Sequence, residues 1–343
     1  MESLKQIFRY THDKPFHPDE ISTYEILDKL KNLDVIKERQ KVGDIGCGAG
    51  RLFPGLSDII GKYGEVIGVD ISKYSLLGAA ELLRIFSKKE SELTNFDKRI
   101  LEYFDPNSIF PANFLLKGKF FERRPIKNVE LINSDGSHLP FKDDYFDVSL
   151  SFDVLLQILE IRNAKKLVSE MNRISKDGFI FTVYPPMYDA EKYFKNPNAA
   201  WNLDQLLCAF ASLHLKITDI LWLHQEELKK ASFYDTRKKI LDMDYLYKQA
   251  KKKASDKSEL EEWVNRYWLD YGKMRLYTKK ELESVLGAAG VEDYIIFPSF
   301  GGMCAANRYL VAAGNLSKKL KKVPENFFQA PTRYVEVLGI PSV

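Results

Sequence analysis

Apolar residues along this chain follow two rhythms. Short, predominantly apolar runs occupy 41–45, 65–70, 129–133, 145–152 and 179–184, and between them apolar positions recur every three or four residues. Runs of that length read as parallel strands buried on both faces, and the three-to-four spacing reads as amphipathic helix. Helices are predicted over 19–33, where Ile21, Tyr24, Ile26, Leu27, Leu30 and Leu33 share a face, over 51–60 ended by Gly61, over 75–86, and over 162–175 ended by Asp177 and Gly178. Thr278 three residues before Glu281 is a capping box for one more helix, and Gly290 suits its left-handed end. Runs at 291–297 and 308–313 predict two closing strands. Strand–helix alternation from 42 to 184 predicts the α/β class, a doubly wound sheet with right-handed crossovers.

Two stretches break the alternation. Residues 87–127 are long for one connection and mix Phe96, Tyr103, Phe104, Phe110, Phe114, Phe120 and Phe121 with Lys and Arg. A connection of that length has its own structure or a function. The expectation is a small packed insertion, with nucleic-acid binding through interleaved bases and rings as the other option. Residues 185–274 hold all four tryptophans, Trp201, Trp222, Trp263 and Trp268, and Asn202 would cap a helix bearing Leu203, Leu206, Leu207 and Phe210 on one face. The expected organisation is an N-terminal arm and core over 1–184, with the 87–127 insertion, and a largely helical, aromatic-rich cap over 185–274. The core ends over 275–314. A tail over 315–343 packs on that core or on the second subunit of a homodimer.

The candidate chemistry lies where the first run ends. Asp44 to Gly50 reads D-x-G-x-G-x-G, with Gly46, Gly48 and Gly50 on alternate positions. Glycines so placed let a backbone turn sharply out of a strand and admit a ligand closely, so the loop reads as a cradle at the strand end. The dinucleotide fingerprint G-x-G-x-x-G/A fails here, because Arg51 stands at its last position. A carboxylate beside the loop also disfavours a pyrophosphate and favours a cationic or hydroxyl-bearing ligand. Asp70 closes the second run and can accept both hydroxyls of a ribose.

Further along, Asp135-Gly136 precedes Leu139-Pro140-Phe141, and Phe146-Asp147 opens the fourth run. Together with the glycine loop and Asp70, these resemble the class I S-adenosylmethionine-dependent methyltransferases, of the small-molecule, methyltransferase-domain-11-like type, over about 20–184 and 275–314. The resemblance implies a Rossmann-like seven-stranded sheet ending in an antiparallel strand, with S-adenosylmethionine as cofactor and S-adenosylhomocysteine as product. It implies that Asp44, Gly46, Cys47, Gly48 and Gly50 cradle the cofactor, that Asp70 takes the ribose, and that Ile71 lies against the adenine. Asp135 would accept from the adenine amino group and the Gly136 backbone would meet the ring, while Ser151 and Phe152 would meet the methionine part through main-chain atoms. His138 is read as a solvated loop residue. Tyr184-Pro185-Pro186-Met187 follows the wrong strand and lacks the polar first residue of the family's amine-binding Pro-Pro motif, so no role is carried onto it.

Composition then narrows the partners. A net charge of +3 over 343 residues is too small to imply nucleic acid without a clustered patch, and 185–274 holds fifteen basic against fourteen acidic side chains. The three cysteines, Cys47, Cys208 and Cys304, are far apart, which argues against a disulfide framework or a zinc site. No metal is expected, and a reducing, cytoplasmic compartment is. Met1 to Lys5 lacks the apolar stretch of a signal peptide, and no run of about 18 apolar residues suggests a membrane span. The preferred reading is methyl transfer to a small or medium-sized organic acceptor, such as a natural product or secondary metabolite, bound under the cap. An RNA or protein methyltransferase using 87–127, and a module that binds the cofactor without catalysis, are the alternatives. A hydroxyl acceptor would need a general base, for which His12, His17, Asp153 and Tyr188 are candidates on loops bordering the site.

Overall fold

The five apolar runs become β1 (Lys41–Ile45), β2 (Glu65–Asp70), β3 (Val129–Asn133), β4 (Val148–Phe152) and β5 (Phe179–Val183), all mutually parallel where they pair. The computed structural model describes residues 26–102, 125–183, 185, 234–235, 240–242, 273–301, 306–325 and 327–328. Two long strands close the sheet, β9 (Tyr294–Gly301) and β10 (Ala306–Ala313). The order is β3-β2-β1-β4-β5-β10-β9, with β10 antiparallel to both neighbours. Three short strands, β6 (Tyr234–Asp235), β7 (Ile240–Asp242) and β8 (Lys273–Arg275), form a separate antiparallel sheet.

Helices cover both faces. On one, Phe53 and Leu56 of α1 (Phe53–Ile60) and Ala79, Leu82 and Ile85 of α2 (Lys73–Ser87) pack on Val42, Val66, Leu150, Ile180 and Leu310. On the other, Leu167, Val168 and Met171 of a helix at Ile161–Ile174, and Leu282, Val285 and Leu286 of one at Lys279–Ala288, pack on Ile67, Val69, Phe179, Phe181 and Tyr309. Each buried Val, Leu, Ile, Phe or Met among them, removed from water, contributes about 1.5–3 kcal/mol. Strands β4 and β5 are buried at every position, as their unbroken apolar runs require. The sheet is therefore doubly wound, and the C-terminal ends of β1, β2 and β4 share one edge.

Between α2 and β3, part of the long 87–127 stretch has structure of its own, a turn of 3-10 helix at Glu90–Glu92 and then α3 (Asn95–Glu102). Asp97, 1% exposed, anchors it, accepting from Lys88 Nζ at 2.5 Å and from the Thr94 backbone N–H at 2.8 Å. Following chain order, the helices at Ile161–Ile174 and Lys279–Ala288 are α4 and α5, and α6 (Asn315–Leu320) comes last. In the tail, Leu316, Leu320 and Phe328 are buried in the main core, with Phe328 at 5.0 Å from the Phe297 ring. Of the two options for the tail, these residues take the core.

Several boundaries moved. The helix after the glycine loop begins at Phe53 rather than at 51, because Gly50 stands at φ +82 and the chain is still turning. Helix α2 begins earlier than 75, capped by Ser72, whose hydroxyl accepts from the Ser75 N–H. The expected strand at 291–297 pairs from Tyr294 onward, since Val291 is spent packing with α5 and its N–H closes the end of that helix on the Leu286 carbonyl. Within 185–274, the described residues are Pro185 and those of β6, β7 and β8, and the largely helical cap expected there otherwise lies outside the described residues. The helix expected after Asn202 lies outside the described residues.

Candidate functional site

At the end of β1 the chain turns through Gly46, Gly48 and Gly50, at φ +78, +56 and +82. The Gly46 and Cys47 amides donate to the Val69 carbonyl at 2.7 and 3.0 Å, so the loop is stitched to the end of β2. There Asp70 accepts from the Gly48 N–H on Oδ2 at 2.9 Å and from the Ser72 N–H on Oδ1 at 2.8 Å. Each carboxylate oxygen has further lone pairs, so an acid held this way can still take two hydroxyls. Asn133 fixes the turn beneath it by donating from Nδ2 to the Asp70 and Ile71 carbonyls, both at 2.9 Å. Ile71 itself is 69% exposed, an apolar surface beside the acid. Asp70→Ala should weaken S-adenosylmethionine binding by about 1–3 kcal/mol, through lost acceptors and a loosened loop. Unchanged calorimetric affinity would remove Asp70 from the ribose role.

Beneath the loop, Asp44 is 2% exposed and its Oδ2 has no hydrogen-bond partner. Burial pushes its pKa up to about 7; nearby Arg51 pulls it back, and Asp70 pushes it further up. Cys47 is buried beside it, and burial together with Asp44 and Asp70 pushes its thiol well up, so it is an inert packing group.

The loop after β3 presents Asp135 and Gly136. A backbone N–H from Ser137 on Asp135 Oδ1, at 2.8 Å, holds its carboxyl below the usual range. A side chain at Gly136 would meet Leu167 of α4 at 2.8 Å, so this loop lies close on the helix. It is also clamped, because Glu170 accepts from the Leu139 N–H at 2.7 Å while Arg173 donates to the carbonyls of Leu139 and Phe141. His138 is exposed, as the sequence reading has it.

At the end of β4, Ser151 and Phe152 are buried, and Ser151 Oγ has no hydrogen-bond partner. Asp153 follows at φ +61, a conformation few side chains adopt. Its N–H donates to Thr182 Oγ1 at 3.1 Å, and that hydroxyl donates back to Asp153 Oδ1 at 3.0 Å. Its Oδ2 receives Arg51 at 2.8 Å and Arg308 at 3.2 Å. Val154 then presses on Gly46. The candidate base Asp153 is thus brought to the glycine loop, but inside an ion-paired cluster. Arg51, Thr182 and Arg308 were not singled out by sequence reasoning; Arg51 entered only as the residue that breaks the dinucleotide fingerprint. His12, His17 and Tyr188 lie outside the described residues.

A family model described as "Methyltransferase domain" matches residues 112–183, a span that takes in the Asp135-Gly136 loop, β4 and β5. It falls on the same sheet edge as the glycine loop and Asp70, in a seven-stranded sheet whose β10 runs antiparallel. Over the matched residues, this is a methyltransferase domain.

The methyltransferase likeness recurs among individual proteins. Ribosomal RNA large subunit methyltransferase E of Methanococcus aeolicus is 31% identical over 90 residues, covering 25% of this chain and 34% of that protein. The chain thus spans about a third of the length of that curated relative. Among solved structures, a SAM-dependent methyltransferase of Methanosarcina mazei is 14% identical, with 82% of this chain and 95% of that one covered at a TM-score of 0.45. A protein of Pyrococcus horikoshii OT3 is 18% identical, with 92% and 98% covered at 0.47. Magnesium protoporphyrin IX methyltransferase of Synechocystis, with bound S-adenosylhomocysteine, is 12% identical, with 91% and 93% covered at 0.42. At these TM-scores the structural likenesses add nothing to what sheet order and loop already show.

The cofactor of this methyltransferase domain is S-adenosylmethionine, and the residues present suit it. Asp70 offers acceptors for ribose hydroxyls, Ile71 an apolar face for a ring, and Asp44 a buried, unpartnered carboxylate oxygen toward positive charge. Among the described residues, no group of three or more His, Cys, Asp or Glu could hold a metal, and no helix is long and apolar enough to cross a membrane.

Proposed function

We propose that the chain transfers a methyl group from S-adenosylmethionine to a small or medium-sized organic acceptor held under residues 185–274. The observation that carries the reading is the edge where three features meet: the three-glycine turn, Asp70 bound to the Gly48 amide, and the ion-paired end of β4. Ligands of open α/β sheets bind at such an edge, outside the carboxyl ends of the strands. The cofactor's sulfonium supplies a methyl that is already electrophilic. The protein's task is then to align an acceptor behind that methyl and to keep water out.

What supports the cap is where 185–274 is tied. It leaves from the C-terminal end of β5, and on its return Arg275 donates to the Leu159 carbonyl at 3.1 Å and Tyr277 to the Leu155 carbonyl at 3.3 Å. Both anchors belong to the turn after β4. Deleting 186–272 with a short linker, which spares β8, should leave S-adenosylhomocysteine binding intact and abolish transfer. Transfer retained by that variant would end the cap reading. For a hydroxyl acceptor, His12, His17 and Tyr188 stay the candidate bases. Asp153 suits a positioning role better, because two arginines and a threonine hold its carboxylate.

An RNA acceptor is the second reading, favoured by the match to a ribosomal RNA methyltransferase and by the basic, aromatic segment 87–127. Offering labelled cofactor with a metabolite extract, and separately with total RNA, decides between them. Label in a small product supports the first reading. Label in RNA, with retention that falls steeply with salt, replaces it with the second.

A further inference from the structure

Helix α4 grips the loop after β3 from one side. Leu167, Glu170 and Arg173 recur every three residues, so they share one face of the helix, and each meets that loop. A side chain added at Gly136 would lie 2.8 Å from Leu167, so the helix sits directly against the first turn. Farther along, Glu170 Oε2 accepts from the Leu139 N–H at 2.7 Å. Arg173 donates from Nη2 to the Leu139 carbonyl at 3.1 Å and from Nη1 to the Phe141 carbonyl at 2.7 Å. Its other bonds run to Glu170, at 2.8 Å from both Nε and Nη2, and to Asp143 at 2.9 Å. All three guanidinium nitrogens are thus engaged within the protein. Between the two gripped carbonyls stands Pro140, whose ring fixes φ and which has no N–H to offer. Leu139 and Phe141 are themselves buried, Phe141 with its ring 4.8 Å from that of Phe146.

The short turn 134–138 hangs between two fixings. At its entry the Ser134 N–H donates to the Asp70 carbonyl at 3.1 Å, and at its exit stands the gripped Leu139. Inside it, the His138 N–H donates to the Asp135 carbonyl at 3.0 Å and the Ser137 N–H to Asp135 Oδ1 at 2.8 Å. The Asp135 side chain is exposed, so packing does not set its direction and the backbone of the turn does. We propose that Glu170 and Arg173 are positioning residues for adenine selection: by fixing the exit of this turn they aim the Asp135 carboxylate at the 6-amino group of the bound cofactor. The inference rests on the cofactor reading given above, and adds to it two residues that act through the loop. A hydrogen bond weakens steeply once its angle or distance is wrong, so the amino contact depends on that aim. Contact with the face of the ring depends instead on Ile71 and on the Gly136 backbone, which Leu167 seats separately. Loss of the grip should therefore spoil the amino contact and spare the ring contact.

The test compares two ligands by titration calorimetry: S-adenosylhomocysteine and its 6-deamino analogue, in which hydrogen replaces the amino group of the adenine. Wild-type protein should prefer S-adenosylhomocysteine by about ten- to a hundred-fold, the range for a hydrogen bond to a charged group, and Asp135→Ala should erase that preference. Arg173→Met should also lose most of it, with affinity for the analogue kept within about threefold of wild type. Arg173→Lys keeps a positive charge beside Glu170 but lacks the planar fork that spans two carbonyls, so it should fall well short of wild type. Glu170→Gln, which keeps an oxygen for the Leu139 N–H, should retain most of the preference. Equal losses for both ligands in Arg173→Met would overturn the proposal and make the residue a structural one. Full preference in both Arg173 variants would overturn it as well. If Arg173→Met fails to fold, Arg173→Lys decides on the same two ligands. Wild-type protein that binds both ligands equally would remove Asp135 from amino recognition, and the proposal with it, while leaving the cofactor in place. Uptake of neither ligand would overturn the cofactor reading itself.

Discussion

Gly46→Ala should abolish measurable cofactor binding, a loss of at least about a hundred-fold, and should cost roughly 2–5 kcal/mol of stability. Two costs add. Gly46 stands at φ +78, where a side chain is strained by about 1–2 kcal/mol. Its Cβ would also lie 2.2 Å from Val154 Cγ2, closer than any real contact. Val154 cannot retreat freely, because it follows Asp153, whose backbone and carboxylate are fixed by Thr182 and two arginines. Strain at Gly46 is therefore passed into the end of β4. Gly48→Ala is the control: its φ is +56, but nothing lies within 4 Å of an added Cβ, so only the conformational cost of about 1 kcal/mol applies. Urea midpoints and calorimetry on both variants give the comparison. Equal effects at the two positions would mean that the approach of Val154 does not matter.

The second large effect is a pH dependence set by Asp44. Its carboxyl, pushed up to about 7 mainly by burial, keeps its proton in the folded, unliganded protein at pH values where the unfolded chain has lost it. An aspartate in an unfolded chain titrates near 4, so the contribution of Asp44 to stability is fully present below that value and is lost as pH rises from about 4 to about 7. Over roughly three units the loss reaches about 4 kcal/mol at most, and above about pH 7 it stays level. Asp44→Asn should flatten that window in urea denaturation. Ligand binding runs the other way, because a cationic ligand favours the ionised carboxylate. Affinity for S-adenosylmethionine should rise by up to about tenfold per unit between pH 5.5 and 7, with proton release visible as buffer-dependent binding heat. An affinity flat across that range in the wild type would show that positive charge does not come to rest near Asp44.

These two effects differ in how far they could be anticipated from residues alone. The glycine spacing and the acids at the ends of β1 and β2 are local features, and their roles as a turn and as an acceptor are legible within ten residues. So are the capping box at Thr278 and the runs that became β4 and β5, buried throughout. The Arg51–Asp153–Arg308 cluster is not local. Its members are 102 and 155 positions apart, and nothing about an arginine in a turn or in a closing strand announces a shared partner. Asn133, Glu170 and Arg173 were missed for a related reason. They act on backbone carbonyls and amides, which every residue carries, so no residue type marks the other end of the bond. The end of α5 misled differently: Val291 was counted with the apolar run that starts at Tyr294, but its packing and its N–H belong to the helix, and pairing begins only at Tyr294.

The position of β10, between β5 and β9, bears on how the chain emerges during synthesis. When residue 183 has left the ribosome, the first five strands can already assemble, yet β5 remains a bare rim of unpaired amides and carbonyls. It stays so while more than a hundred further residues are made, until the strand ending at Ala313 can slide in beside it. An uncovered apolar strand is a template for a neighbouring nascent chain. Slower translation between β5 and β10 should therefore lower the soluble yield of this protein, and holdase chaperones should raise it.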